Sequence, residues 1–277
     1  MERMIPMPYR LLAMDMDGTV LTSEKIITPR TDRAIRQALA AGKEVLFATG
    51  RCPTEVRPYL QQYPEMRYAL CLSGAVIFDV AAGRTLEDVS FSPALTRQIL
   101  NAAEQVDAMV AIYAGDDVFV ERSRRPRMDY FCCDCFAALY DRCAVYVDTL
   151  QEALDREGNR VHKINLYCHT AEDWKKAGEL LSGLPVTCAR GIPNNFEVSP
   201  RGVSKGEGLR QLCRAAGISM EEAIAVGDEG NDLTMVAAAG LGVAMGNAAE
   251  AVKAAAKAVT ADCDHDGVAE VIENYLL

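Results

Sequence analysis

Apolar runs and amphipathic stretches alternate through the first 80 residues of the chain. LLAMD reads as a buried strand, and TPRTDRAIRQALAAG as a helix with Thr28 as N-cap, Pro29 at the first helical position and Gly42 as the stop. EVLFATG is a second buried strand, a helix begins near Pro53, and YALCLSGA supplies a third strand ending at Ser73, Gly74 and Ala75. Strand, helix, strand, helix, strand predicts a parallel sheet with right-handed crossovers. The same pattern returns near the C-terminus. VSKGEGLRQLCRAAG predicts a helix opened by a capping box of Ser204 and Glu207 and closed by Gly217. AIAVGD and LGVAM are strands around the helix DLTMVAAAG. NAAEAVKAAAKA is a helix with a second capping box, Asn247 and Glu250, and GVAEVIENYLL is a terminal helix.

The middle differs. Residues 84–190 hold a cysteine cluster, half of the tyrosines, the basic stretch ERSRRPR and the strand-like runs AMVAIY, DVFVE and KINLYC. This predicts an inserted α/β domain between two halves of one core, residues 1–83 and 191–277. AGLGVAMG lacks the spacing of a dinucleotide loop, and no internal repeat occurs.

Composition narrows the class. Of 277 residues, 50% are hydrophobic and 25% charged, the balance of a soluble globular protein with a sizeable core. A formal charge of −10 argues against nucleic acid or an anionic membrane as partner, because both demand a basic surface. No apolar run reaches the ~18 residues of a membrane span, and MERMIPMPYRLLAMDMDG lacks the pattern of an export signal, so a cytoplasmic location is expected. The ten cysteines then read as reduced thiols. Cys132, Cys133, Cys135 and Cys143 lack the second pair of a zinc site and are expected to pack. His162, His169 and His265 show no ligand spacing and read as surface or packing residues.

The chemistry gathers where strands are predicted to end. Asp15 and Asp17 follow LLAM and, two residues apart, would share a face; carboxylates so close imply a nucleophile beside a general acid, or a bound cation. Thr49 with Gly50, Lys205 at a helix head, and Gly227, Asp228, Asn231 and Asp232 fall at equivalent places, beyond the carboxyl ends of the strands where open parallel sheets bind ligands. Each cluster alone could be a turn, a cap or a solvated side chain; all four together are not easily chance. Asp15 and Asp228 suit a hard cation such as Mg²⁺, while Lys205, the Thr49 hydroxyl and the N–H groups near Gly50 suit phosphoryl oxygens. Together they make a phosphoryl-transfer site.

The order DMDGT, ATGR, the lysine of GVSKGEGL and GDEGNDLTM resembles the four motifs of the haloacid dehalogenase superfamily. The long insertion, with GDxxNDxxM and DGVA, is similar to its Cof-type phosphatases with a type IIB cap. The resemblance implies a Rossmann-like parallel core carrying that cap. It implies Asp15 as the nucleophile that becomes an aspartyl phosphate, and Asp17 as the acid and base. It implies Mg²⁺ held by Asp15, the backbone carbonyl of Asp17 and Asp228, with Asp232 supporting through water or as an outer group. Lys205 would bridge nucleophile and phosphate, with Thr49, Gly50 and Asn231 on the phosphate oxygens. Arg51 would either contact substrate or serve structure. Relatives commonly carry Asn where this chain has Ser73 before Gly74 and Ala75. The expected activity is Mg²⁺-dependent hydrolysis of a small phosphomonoester, a sugar phosphate or a nucleotide-like or cofactor-like phosphate. A phosphomutase that returns the phosphoryl group to a sugar, and a non-catalytic metabolite sensor, are the alternatives. Free phosphate released from a hexose phosphate separates the first two. Lys163, Asn165 and the arginines of ERSRRPR are the cap's candidates for substrate contact; oligomeric state is not encoded.

Overall fold

The computed structural model describes residues 9–158 and 160–277; residues 1–8, which open the stretch read for an export signal, lie outside it. The first five strands are β1 (Leu11–Met14), β2 (Glu44–Ala48), β3 (Tyr68–Cys71), β4 (Val76–Asp79) and β5 (Arg84–Asp88). A separate six-stranded sheet follows, made of β6 (Ala108–Ala114), β7 (Asp117–Glu121), β8 (Val145–Val147), β9 (Val161–Cys168), β10 (Val186–Ala189) and β11 (Asn195–Pro200). The chain then returns to the first sheet with β12 (Ala223–Gly227), β13 (Leu241–Ala244) and β14 (Ala258–Val259).

The large sheet runs β14-β13-β12-β1-β2-β3-β4-β5. It is parallel from β14 to β3 and closes on an antiparallel hairpin, β3 to β5. Every residue of β1 is buried, as a central strand covered by helices on both faces requires. The helix Pro29–Ala40 starts as predicted, with the Thr28 side chain accepting from the Thr31 amide, and it buries Ala34, Ile35 and Ala38. No described helix is long and apolar enough to cross a membrane.

Strand pairing departs from the expected division at both edges. β5 pairs with β4, so residues 84–88 extend the large sheet; β11 pairs with β9 and β10, so residues 195–200 belong to the small one. Hairpin partners lie close in sequence, and no composition change marks where a ladder stops. The second predicted capping box is also absent. The helix Glu250–Ala255 begins after Ala249 without a side-chain cap, because Asn247 Oδ1, the acceptor a cap would use, takes the Cys263 amide at 3.1 Å.

The small sheet is antiparallel apart from the β7–β8 pair and has two different faces. Alternation along β6 sends Ile112 and Ala114 to a core of its own with Phe119, Ile164 and Leu166, and sends Met109, Ala111 and Tyr113 toward the large sheet. On β9 the residues opposite Tyr113, Ala111 and Met109 are Lys163, Asn165 and Tyr167. The period of two thereby delivers an ammonium, an amide and two phenols to the side facing the predicted motifs.

Candidate active site

β1 ends at Met14, and the Asp15 amide still bonds the Val226 carbonyl of β12 at 3.0 Å, which leaves the Asp15 side chain at the sheet's carboxyl edge. Lys205 opens the helix Lys205–Ala216, whose N-cap Ser204 accepts from the Glu207 amide. Its ammonium is fully buried and donates to Asp15 Oδ1 at 2.5 Å and to Asp232 Oδ1 at 2.6 Å. Burial works against that charge, but the two carboxylates outweigh it and keep the lysine protonated above its ordinary range. Asp232 Oδ2 accepts from the amides of Asp228 and Glu229 at 2.9 and 3.1 Å, which binds the GDEGND turn to itself. Of the two roles expected of Asp232, support through water or as an outer group, the contacts seen here are of the second kind: it holds Lys205 and the backbone directly.

Asp228 accepts from the Thr19 hydroxyl at 2.8 Å. Asn247 donates to the Gly18 carbonyl at 2.9 Å and reaches Asp228 Oδ2 at 3.4 Å. Gly18 has φ of +80°, and a Cβ there would stand 2.3 Å from Asp228 Oδ2, so only glycine lets the two motifs meet. The sequence assigns neither Thr19 nor Asn247 to the site. Thr19 sits inside the first motif and could have been assigned; Asn247 had a competing local reading as a helix cap.

The donor set fits a divalent cation. Carboxylate oxygens of Asp15, Asp228 and Asp232 lie within 4.8 Å of one another, all buried, and the adjacent ammonium offsets one charge of three. Burial, then Asp232, push the Asp228 carboxyl up to about 7; burial and the Asp232 and Asp228 charges also raise Asp15, against the pull of Lys205. Such crowding is what a hard cation relieves.

Asp17 differs from its expected setting. Pairing of β1 has already stopped, and the Asp17 carboxylate lies outside the three-aspartate cluster. Arg51 grips it with two bonds, Nε to Oδ2 at 2.7 Å and Nη2 to Oδ1 at 2.8 Å, and Lys25 adds a third at 2.9 Å. Burial would raise this carboxyl, but Arg51 and Lys25 prevail and hold it at about 2. Arg51 is buried and turns its face toward the Tyr59 ring; its Nη1 has no hydrogen-bond partner among the described residues.

Thr49 Oγ1 accepts from the Arg51 amide at 3.1 Å, so the hydroxyl keeps its own proton to donate. Asn231 Oδ1 is buried without a partner among the described residues. A cavity of about 320 Å³ joins these groups, with Asp15, Asp17, Thr49, Gly50, Arg51 and Asn231 on one wall and the small sheet on the other. Lys163 crosses between them, donating to the Gly50 carbonyl at 2.5 Å and standing 3.6 Å from Glu197. Ser73, with φ of 56°, occupies a left-handed backbone position that asparagine tolerates better, and its hydroxyl donates to Glu197 at 3.3 Å.

Other candidates go elsewhere. Arg124 and Arg125 of ERSRRPR pair with Glu121 and Asp141, and Arg127 lies over Tyr130; none lines the cavity. His162 bonds Asp88, His169 stacks on Tyr130 and His265 bonds Asp262. Cys133 is buried with its thiol against the Met128 carbonyl, whereas Cys132 is exposed and Cys135, also exposed, lines the cavity.

Comparison with known proteins identifies the family. The model of the haloacid dehalogenase-like hydrolases matches residues 12–272. Phosphatase YwpJ of Bacillus subtilis is 30% identical, over 96% of this chain and all of that protein. Pyridoxal phosphate phosphatase YbhA of Escherichia coli is 28% identical, over 98% of this chain and all of its own. The solved structure of a haloacid dehalogenase subclass IIB sugar phosphatase superposes with a TM-score of 0.81 at 26% identity, covering 96% of this chain and 98% of that one. The chain therefore belongs to the haloacid dehalogenase-like hydrolase family, as one of its phosphoric monoester hydrolases.

Proposed function

We propose that this protein is a Mg²⁺-dependent phosphatase that hydrolyses a small phosphorylated metabolite by way of a phosphoryl group carried on Asp15. The observation that carries the reading is the buried Lys205 ammonium bonded at once to Asp15 and Asp232, which fixes Asp15 where it lines the same cavity as Thr49, Gly50 and Asn231. Lys205 orients the nucleophilic oxygen, and the Thr49 hydroxyl and the Gly50 amide receive phosphoryl oxygens. The carboxylates of Asp15 and Asp228 and the Asp17 carbonyl would hold Mg²⁺, which when bound would supply positive charge to those oxygens.

An Asp15 oxygen attacks phosphorus, the bond from phosphorus to the ester oxygen breaks, and Asp17 gives its proton to the departing alcohol. Asp17 then takes a proton from water as that water attacks phosphorus, which breaks the bond to Asp15 and releases phosphate. Asp17 can carry the first proton only after it leaves Arg51 and Lys25. An incoming phosphate dianion competes for the same guanidinium, so substrate binding and release of the acid are one exchange of partners. We assign residues 89–201, between the last strand of the core hairpin and the turn that leads to Lys205, as the cap.

Asp15→Asn is expected to abolish phosphate release while the circular dichroism spectrum stays native; near-normal turnover would remove Asp15 from its role. Chelation with EDTA should stop turnover and added Mg²⁺ restore it. Full activity in chelator would refute the metal site.

A further inference from the structure

Four buried polar side chains close a ring on the cap wall of the cavity. Tyr113 and Tyr140 hydroxyls lie 3.2 Å apart, Tyr140 and Tyr167 hydroxyls 2.9 Å apart, and Asn165 Nδ2 donates to Tyr167 at 3.0 Å and to Tyr113 at 3.4 Å. Counting protons shows what the ring leaves over. The amide supplies two of the four bonds, and the three phenols have three protons for the other two. Whichever way the hydroxyls turn, one O–H remains as a donor, and Asn165 Oδ1 remains as an acceptor without a partner among the described residues. All four side chains line the cavity beside Phe136, Leu139 and Ile192, and the Phe136 ring lies 6.3 Å from that of Tyr140 and 6.0 Å from that of Tyr167.

The ring also stands at a fixed step from the chemistry. Lys163, which holds the Gly50 carbonyl, lies 4.5 Å from the centre of the Tyr113 ring, and Asn165 and Tyr167 follow it at alternate positions of β9. Alternate residues of a strand are ~7 Å apart, about the width of one six-membered ring. A group esterified to a phosphate at Thr49 and Gly50 therefore meets the tyrosine and asparagine ring directly.

We propose that this ring reads the leaving group, and that the substrate is the phosphate ester of a flat, hydroxyl-bearing aromatic ring, its face against Phe136 and its polar edge on the Tyr113, Tyr140, Tyr167 and Asn165 cluster. A sugar is the poorer fit, because it carries hydroxyls on all sides, whereas the ring itself offers one spare donor and one spare acceptor beside the apolar faces of Phe136, Leu139 and Ile192, with Glu55, Lys163 and Glu197 at its margins. The inference rests on the phosphatase reading above and deepens it.

Three esters separate the possibilities: pyridoxine 5′-phosphate, a hydroxylated ring; benzyl phosphate, a flat ring with the same linkage and no polar edge; and glucose 6-phosphate. The wild-type kcat/KM for the first is expected to exceed each of the others by about tenfold or more, the worth of one or two buried hydrogen bonds. Tyr167→Phe, and separately Asn165→Leu, should shrink the ratio of pyridoxine 5′-phosphate to benzyl phosphate to within about threefold, whereas Tyr146→Phe, remote from the cavity, should keep it. A preference for glucose 6-phosphate, equal rates on the two ring esters, or a ratio unmoved in both cavity variants would overturn the inference. If no ester released phosphate, the phosphatase reading would fall. The same ranking, measured as Kd by calorimetry with the Asp15→Asn protein and Mg²⁺, would then decide the recognition question.

Discussion

Asp228 couples the site to pH. Its carboxyl stands at about 7 in the folded protein, above the ordinary value of 3.8, so between those values the folded chain binds a proton that the unfolded chain has released. That contribution to stability is complete below pH ~4 and lost as pH rises through ~7. Asp15, moved in the same direction, adds to it. Without divalent cations the melting temperature should therefore fall between pH 5 and pH 8. Millimolar Mg²⁺ should restore it strongly at pH 8 and weakly at pH 5, where protons already occupy the oxygens. A Mg²⁺ shift of equal size at both pH values in a thermal melt would contradict this, and Asp228→Asn should flatten the dependence. Arg51 teaches a different lesson at the same scale. The sequence places it beside the phosphate loop, and only the fold reveals that its partner is Asp17, 34 positions away. Nothing local in ATGR records that pairing.

The helix Lys205–Ala216 shows how an element delivers one atom. A Cβ on Gly206 would meet the Thr234 carbonyl at 2.4 Å, and Gly208 sits against Leu70 and Gly74, so the first turn presses on two neighbours with no room to spare. Gly206→Ala should cost about 1–3 kcal/mol in a denaturant titration. It should also lower kcat about tenfold or more, because Lys205 moves with the turn. Gly183→Ala, with nothing within 4 Å of its Cβ, is the control and should do neither. If Gly206→Ala left kcat unchanged, the seating of the helix would not be what positions Lys205. Elements of this kind were legible in the chain: β1, β2, the helix after Thr28 and the helix after Ser204 all announce themselves by apolar runs and caps that act within a few residues. Asn247 was misread for the opposite reason. Its spacing to Glu250 satisfies a local rule, but its Oδ1 accepts from the Cys263 amide, 16 residues away, and its Nδ2 bonds Gly18, 229 residues away, so neither end is left for a cap. The arginines of ERSRRPR were equally opaque, since charge alone cannot tell a substrate contact from a partner such as Asp141.

For the molecule as a whole, the joint between its two sheets matters most. Lys163 of the small sheet holds the Gly50 carbonyl of the large one, and Thr54 bonds Asp117 across the same gap at 2.6 Å. Lys163→Met keeps the bulk and loses the charge-assisted bond; KM should rise about tenfold, with kcat changed less. An unaltered KM in steady-state kinetics would show that the contact does not shape the phosphate loop. The two-sheet plan was legible from the change of pattern in mid-chain, but its edges were not, because β5 and β11 join their sheets through ladders that leave no mark in composition. One arrangement reaches beyond the finished protein. β1 lies at the centre of its sheet, yet its neighbour β12 is encoded more than 200 residues later, at 223–227. While the ribosome is still at work, that side of β1 has no ladder to join, and Asp15 has neither Lys205 nor Asp228 beside it. Synthesis thus leaves the nascent polypeptide inert toward cellular phosphates, and in need of shelter from other chains, until the second half of the sheet emerges.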